Sequence, residues 1–119
     1  MTKPTLNACL RRRCLYLNRI TVTLLGNHSH LCFWYDEKEG LLCVSAAGKD
    51  DLDAFEIPGN FWKKSNTSSC EVARIAFLKA LQYRLHWEDD SKYSYVGTLI
   101  EQGGIPVVAF NMAEGTKLR

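Results

Sequence analysis

The stretch LCFWYDEKEGLLCVSA, residues 31–46, is the part of the chain that decides the fold class. Its first half, residues 31–35, has the aromatic and apolar composition of a β-strand, and residues 41–46 form a second apolar run of strand length. The polar segment 36–40 between them has the length of a turn and ends in glycine. The stretch therefore predicts an antiparallel β-hairpin.

One main amphipathic helix is predicted near residues 69–87. Ser68 precedes Glu71 by three residues, as in a capping box, and no Pro or Gly interrupts the chain before Gly97. Apolar residues recur there at helical spacing: Val72, Ile75, Ala76, Phe77, Leu78, Leu81 and Leu85.

A second hairpin is predicted after the helix. Residues 93–100 alternate as a strand, residues 101–104 supply a turn, and residues 107–112 return. The order of elements predicts an α+β fold in which antiparallel β-hairpins form a small sheet or barrel beside the helix.

The N-terminal region has weaker patterns. Residues 15–17 and 20–23 are rich in β-forming residues, whereas residues 1–14 are interpreted as a basic arm that is flexible or forms a short first element. Residues 48–69 are expected to be a connection whose apolar side chains cover the core. A length of 119 residues predicts a single domain, 1–119.

Composition indicates a soluble protein. The chain is 46% hydrophobic and 24% charged, and it contains no apolar run of the roughly 18–20 residues that a membrane span requires. The start does not read as a secretory signal, so we expect a cytoplasmic location without membrane association. The five cysteines are odd in number and lack a CxxC pair, which favours reduced thiols over a disulfide framework.

Charge is strongly segregated along the chain. Residues 1–35 hold five basic residues and no acid, whereas residues 36–62 hold seven acids and two lysines. Such a pattern favours binding of a polyanion, or pairing of the basic segment of one copy with the acidic segment of another.

The leading candidate binding residues are Arg11, Arg12, Arg13 and Arg19. Arginines that neutralise phosphates give salt-dependent affinity that does not depend on sequence. The alternative is a solvated segment that only keeps the protein in solution.

Other chemistry is less favoured. His28, His30 and Cys32 alternate and would share one face of a strand, where Cys43 could add a fourth metal ligand. The preferred interpretation is that the histidines are polar surface residues and that the cysteines are buried. The sequence lacks a nucleophile elbow, a P-loop and a dinucleotide-binding motif. We therefore expect no metal, no cofactor and no enzymatic activity.

Residues 19–46 resemble the AbrB-type swapped-hairpin DNA-binding domain. The resemblance rests on RITV at 19–22, LLG at 24–26, the strand 31–35, the acidic turn and the strand 41–44. It implies an intertwined dimeric barrel that binds DNA through basic residues. Arg19 matches the basic position that opens the pattern, and Thr23 stands where the family usually has proline. In general style the chain is also similar to small bacterial proteins carried on mobile elements.

Two functional hypotheses follow. The first is a small, dimeric, non-enzymatic DNA-binding regulator that contacts phosphates through its basic N-terminal segment. The second is a protein–protein interaction module that binds no nucleic acid, and whose basic and acidic segments recognise a partner.

Overall fold

The computed structural model describes residues 3–26, 29–51, 54–58, 61, 69–72 and 75–118. Within these ranges the chain forms nine β-strands and two α-helices. The strands are β1 Thr5–Cys9, β2 Cys14–Asn18, β3 His30–Asp36, β4 Leu41–Ala46, β5 Phe55–Glu56, β6 Ser69–Val72, β7 Lys92–Gln102, β8 Ile105–Asn111 and β9 Thr116–Leu118. The helices are α1 Arg19–Leu24 and α2 Ile75–Leu85, and a short 3₁₀ helix, Met112–Glu114, follows β8.

Every described strand pair is antiparallel, and the sheet curls nearly into a barrel. The strand order is β5-β3-β4-β8-β7-β1-β2-β6, with β9 paired to β7. The long strand β7 joins the two parts of the sheet, because its first half pairs with β1 and its second half pairs with β8. The predicted α+β class with antiparallel pairing and one main helix is confirmed.

The core lies on the inner face of the sheet and beneath α2. Alternate residues of the strands point inward, so that each strand contributes one apolar face. The fully buried side chains include Leu6, Leu17, Leu31, Leu42, Val44 and Phe110. From α2, Leu78 and Leu81 close the core. Neither α-helix in the described ranges is long and apolar enough to span a bilayer.

Both predicted hairpins are confirmed. In the first, Phe33 lies opposite Val44 and Tyr35 opposite Leu42, while the turn is closed by a bond from the Gly40 amide to the Asp36 carbonyl at 2.8 Å. In the second, Gly97 lies opposite Phe110 and Gln102 opposite Ile105, around a turn with two glycines in the left-handed region. Each hairpin is encoded by neighbouring residues, which is why sequence patterns identify it.

The N-terminal segment, expected to be a flexible arm or a short first element, contains a short first strand. Residues Thr5–Cys9 form β1, which is hydrogen-bonded to β2 on one side and to β7 on the other. Leu6 and Ala8 alternate with polar residues and are fully buried. A strand this short is stabilised by its neighbours, and β7 lies more than eighty residues away in the chain.

Two sequence predictions are wrong. Residues 20–23, expected as a strand, belong to the helix α1, which Asn18 caps by accepting a hydrogen bond from the Thr21 amide. The main helix begins at Ile75 rather than near residue 69, because Ser69–Val72 pair with β2 as strand β6. Glu71 of the expected capping box is thus in a strand, and Ser68 lies outside the described residues.

Candidate anion-binding site

Arg11, Arg12 and Arg13 lie in the turn that connects β1 to β2, and all three side chains are exposed. The turn is closed by a hydrogen bond from the Arg13 amide to the Leu10 carbonyl at 3.2 Å. Arg13 adopts a positive φ of 55°, in the left-handed region. The three arginines therefore sit at one end of the sheet, next to the start of β7.

Arg12 lines an open cavity of about 360 Å³ on the outer face of the sheet. The other lining residues are Asn7, Ala8, Cys9, Tyr16, Lys92 and Leu118. Arg12 donates a hydrogen bond from Nη1 to the Tyr16 hydroxyl at 3.5 Å. Two cations, one phenol and one side-chain amide thus border the same space.

The register of the sheet explains why these residues meet. Asn7 of β1 lies opposite Tyr16 of β2, and Cys9 of β1 lies opposite Lys92 of β7. Lys92 in turn lies opposite Leu118 of β9. Directly opposed residues on antiparallel strands project on the same face. The cavity is therefore built from four strands, with Arg12 reaching it from the turn.

Electrostatics at the cavity favour an anion. A hydrogen bond to Tyr16 raises the pKa of Arg12 further above its ordinary value. A hydrogen bond to Cys14 raises the pKa of Tyr16 above 10.0, so its hydroxyl stays protonated at neutral pH. The guanidinium of Arg12 suits a phosphate or carboxylate, because its N–H groups donate hydrogen bonds to oxygen.

Acidic residues also lie near this end of the sheet. Glu71 of β6 lies opposite Tyr16, and Glu88 forms an ion pair with Lys117 of β9. Because Lys117 neutralises Glu88, the pairing reduces the negative charge next to the cavity.

Arg13 faces a different environment from Arg12. It lines a smaller cavity of about 120 Å³ together with Lys79 and Gln82 of α2 and with Asp89. Gln82 Nε2 donates a hydrogen bond to Asp89 Oδ1 at 2.7 Å. The neighbouring carboxylate makes this second cavity less suited to an anion than the one at Arg12.

Arg19 lies at the opposite end of β2 from the basic turn. Between it and Arg13 lies the whole of β2, five residues with a length of roughly 17 Å at about 3.3 Å per residue. Its Cζ lies 5.3 Å from the centre of the Phe61 ring, and its Nη1 donates to the Phe61 carbonyl at 3.3 Å. The structure thus brings Arg11, Arg12 and Arg13 together but places Arg19 elsewhere.

Sequence reasoning missed Lys92, Tyr16 and Asn7. Lys92 follows the acidic run 88–90, and Tyr16 lies in a stretch marked only by its β-forming composition, so neither pattern indicates a site. The signal that could have found them is the pairing of β1 with β7, which places the Lys92 backbone next to the basic turn.

The histidine–cysteine cluster predicted as an alternative is only partly described. His30 and Cys32 are in β3; the Cys32 sulfur is 3.5 Å from the Ser45 hydroxyl, and His30 Nε2 is 3.9 Å from a Glu56 carboxylate oxygen. His28 lies outside the described residues. Within the part of the chain that the structure describes, no three His, Cys, Asp or Glu side chains are grouped to hold a metal ion.

His30 also contacts a hydroxyl, since Ser29 Oγ lies 2.8 Å from His30 Nδ1. With Glu56 beyond the other ring nitrogen, the set has the composition of a hydrolytic triad. Ser29 and Glu56 are exposed, and none of the three lines a cavity described above.

No family model, curated protein or solved structure matches this chain.

Proposed function

We propose that this protein is a non-enzymatic nucleic-acid-binding protein that contacts phosphates through the turn Arg11, Arg12 and Arg13 and through Lys92. The observation that carries the proposal is the convergence of Arg12 and Lys92 on one open cavity, beside the other two exposed arginines of the turn. The biological role that we propose for this binding is the regulation of transcription on DNA.

The geometry supports contact with phosphates rather than readout of bases. A turn of exposed arginines at the end of a curled sheet presents several cations to a backbone that carries one charge per about 1.7 Å of duplex axis. Such contacts position a protein on DNA without sequence information. We therefore expect binding to random duplex DNA, with affinity that falls as salt rises.

The test is a salt series with a fluorescently labelled random duplex, measured by anisotropy for the wild type and two variants. Arg11→Ala/Arg12→Ala/Arg13→Ala removes the turn cations, and Lys92→Ala removes the cation supplied by β7. We expect each variant to bind more weakly and to lower the slope of log K against log salt by about 0.9 for each phosphate that is no longer neutralised.

The matched control is Lys38→Ala/Lys49→Ala. Both lysines are exposed and lie in the acidic segment, remote in sequence from the turn. We expect this variant to keep the wild-type salt slope. If the control variant weakens binding as much as the turn variant does, the affinity depends on net charge alone and not on the turn. If the wild type does not bind the duplex even at low salt, the proposal is wrong.

An alternative proposal is a protein–protein interaction module, either with another protein or as a homodimer. It is favoured by apolar side chains that stand in solvent on the β7–β8 hairpin: Leu99 is 46% exposed and Ile105 is 53% exposed. The opposite charges of residues 1–35 and 36–62 would orient two copies.

Sedimentation at low and high salt tests the homodimer. A dimer that dissociates more readily in the variant Leu99→Ser/Ile105→Ser supports the homodimer. The control is Tyr83→Ser, at a still more exposed site on α2. Another protein is favoured as the partner if the chain is a monomer under all conditions and if a pull-down with the wild type recovers a protein that Leu99→Ser/Ile105→Ser does not recover.

A further inference from the structure

Cys9 and Cys14 form a cross-strand pair at the base of the basic turn. Cys9 is the last residue of β1, Cys14 is the first residue of β2, and the two lie directly opposite each other. Both are reduced thiols. Their side chains project on the same outer face as Asn7 and Tyr16, away from the main hydrophobic core.

Directly opposed residues meet the distance requirement of a disulfide. Their Cα atoms lie about 4.5 or 5.5 Å apart in antiparallel strands, and disulfides accept Cα separations of about 4.4–6.8 Å. The two other cysteines on neighbouring strands are not opposed in this way: Cys32 lies opposite Ser45, and Cys43 lies opposite Trp34. The β1–β2 register therefore singles out Cys9 and Cys14.

The two thiols differ in their contact with the cavity. Both are buried, at 5% exposure for Cys9 and 1% for Cys14, but only Cys9 lines the cavity that Arg12 and Lys92 border. Burial raises the pKa of the Cys14 thiol, although a hydrogen bond with Tyr16 opposes this effect. An incoming oxidant thus meets Cys9 first, and Cys14 reacts only across the strand pair.

The cations select the kind of oxidant. Arg12 and Lys92 stand at the same cavity as Cys9, so that a negatively charged disulfide is drawn toward the Cys9 sulfur. Glutathione disulfide has this chemistry, because each half carries carboxylates and its disulfide bond is attacked by thiolates.

We propose that Cys9 and Cys14 are a dithiol–disulfide pair that an anionic, low-molecular-weight disulfide oxidises through the cavity at Arg12 and Lys92. The Cys9 thiolate attacks one sulfur of glutathione disulfide, forming a mixed disulfide and releasing one glutathione thiolate. The Cys14 thiolate then attacks the Cys9 sulfur and releases the second glutathione. The protein loses two electrons and two protons, and glutathione disulfide becomes two glutathione molecules.

The chain offers a direct assay for the bond. Trypsin cleaves after Arg11, Arg12 and Arg13, so residues 1–11 and 14–19 are separate peptides unless Cys9 and Cys14 are joined. Native, reduced protein is incubated with excess glutathione disulfide, alkylated, digested without reductant and analysed by mass spectrometry. We expect the linked pair of peptides, which disappears on addition of dithiothreitol.

Single variants test the order of attack. Cys14→Ser is expected to accumulate glutathione on Cys9, whereas Cys9→Ser is expected to leave Cys14 largely unmodified. Lys92→Ala is expected to slow formation of the link several-fold with glutathione disulfide but not with the uncharged disulfide of 2-mercaptoethanol. Equal slowing with both disulfides would overturn the role given to the cations.

Cys32 is the internal control because it is only half-buried and lies on β3, away from the cavity. Glutathione on Cys32 without the linked peptides shows that the oxidant was effective and overturns the proposed pair. The assay contains no nucleic acid, so its result is independent of the proposed phosphate binding.

Discussion

At the scale of single residues, Gly97 illustrates how closely the sheet is packed behind the hairpin. It is buried in β7 opposite Phe110. A Cβ at this position would lie 2.7 Å from Phe110 Cε1 and 2.8 Å from Val108 Cγ1. Both neighbours are fully buried. The absence of a side chain at residue 97 is therefore a packing requirement.

Gly97→Ala is expected to reduce the free energy of unfolding by about 1–3 kcal/mol, the range for overpacking in a core. Urea denaturation followed by tryptophan fluorescence measures the change. Gly48→Ala is the control, because its Cβ would meet only the Asp51 carboxylate at 3.6 Å. We expect the control to change stability by less than about 0.5 kcal/mol, and equal losses in both variants would contradict the packing argument.

The candidate site shows what a sequence can indicate at this scale. The three consecutive arginines are identifiable from the sequence as a candidate binding surface because their charge is local. Lys92 and Tyr16 were not, since both reach the cavity only through pairing with β1. Arg19 was grouped with the turn by sequence proximity, but the length of β2 separates them.

At the scale of elements, Asn18 connects the first strand to the first helix. Its Oδ1 accepts hydrogen bonds from the amide of Thr5 at 3.0 Å and from the amide of Thr21 at 3.2 Å. Its Nδ2 donates to the carbonyl of Lys3 at 2.8 Å. One side chain thus caps α1 and also positions the start of β1.

Asn18→Ala is expected to destabilise the protein by more than the roughly 1 kcal/mol typical of a missing helix cap, because the hydrogen bonds that hold the start of β1 are removed as well. Asn18→Asp keeps the acceptor oxygen and should recover part of the stability. Asn111→Ala, which removes the cap of the exposed 3₁₀ helix, is the matched control. A destabilisation in Asn18→Ala no larger than in Asn111→Ala, measured by urea denaturation, would show that the hydrogen bonds to β1 contribute nothing.

The two hairpins with strand-like composition and turn glycines were predictable, whereas the local β1–β2 hairpin, with three arginines in its turn, and the elements with distant partners were not. The two hairpins pair within themselves. In contrast, β1 pairs with β7, and β6 pairs with β2. Residues Ser69–Val72 alternate between exposed and buried positions as a strand, although the sequence around them also fits the beginning of a helix. Only the available edge of β2 decides between these conformations.

At the scale of the whole molecule, the buried phenol of Tyr95 couples stability to alkaline pH. Tyr95 is 3% exposed and accepts a hydrogen bond from Trp87 Nε1 at 2.7 Å. Burial raises the pKa of Tyr95 above its ordinary value of 10.0. The unfolded chain therefore releases this proton at lower pH than the folded protein does.

The free energy of unfolding is consequently expected to fall as the pH rises above about 10, because ionisation then favours the unfolded state. The stabilisation that Tyr95 contributes is fully present below pH 10 and is lost as the pH rises through the pKa of Tyr95 in the folded protein. Tyr95→Phe should flatten this dependence, whereas Tyr83→Phe, at a position that is 86% exposed, should leave it unchanged. Denaturation curves at several alkaline pH values check both outcomes, and parallel pH profiles for all three proteins would contradict the assignment.

The sequence by itself determined the α+β class, the two hairpins, the main helix and the cluster of three arginines, because each depends on composition and on spacing among neighbours. The tertiary structure alone decided that Thr5–Cys9 is an interior strand, that Ser69–Val72 is an edge strand and that Arg12 and Lys92 line one cavity. These features depend on which distant strands form hydrogen bonds, and the free energy of that pairing comes from burying the whole sheet at once.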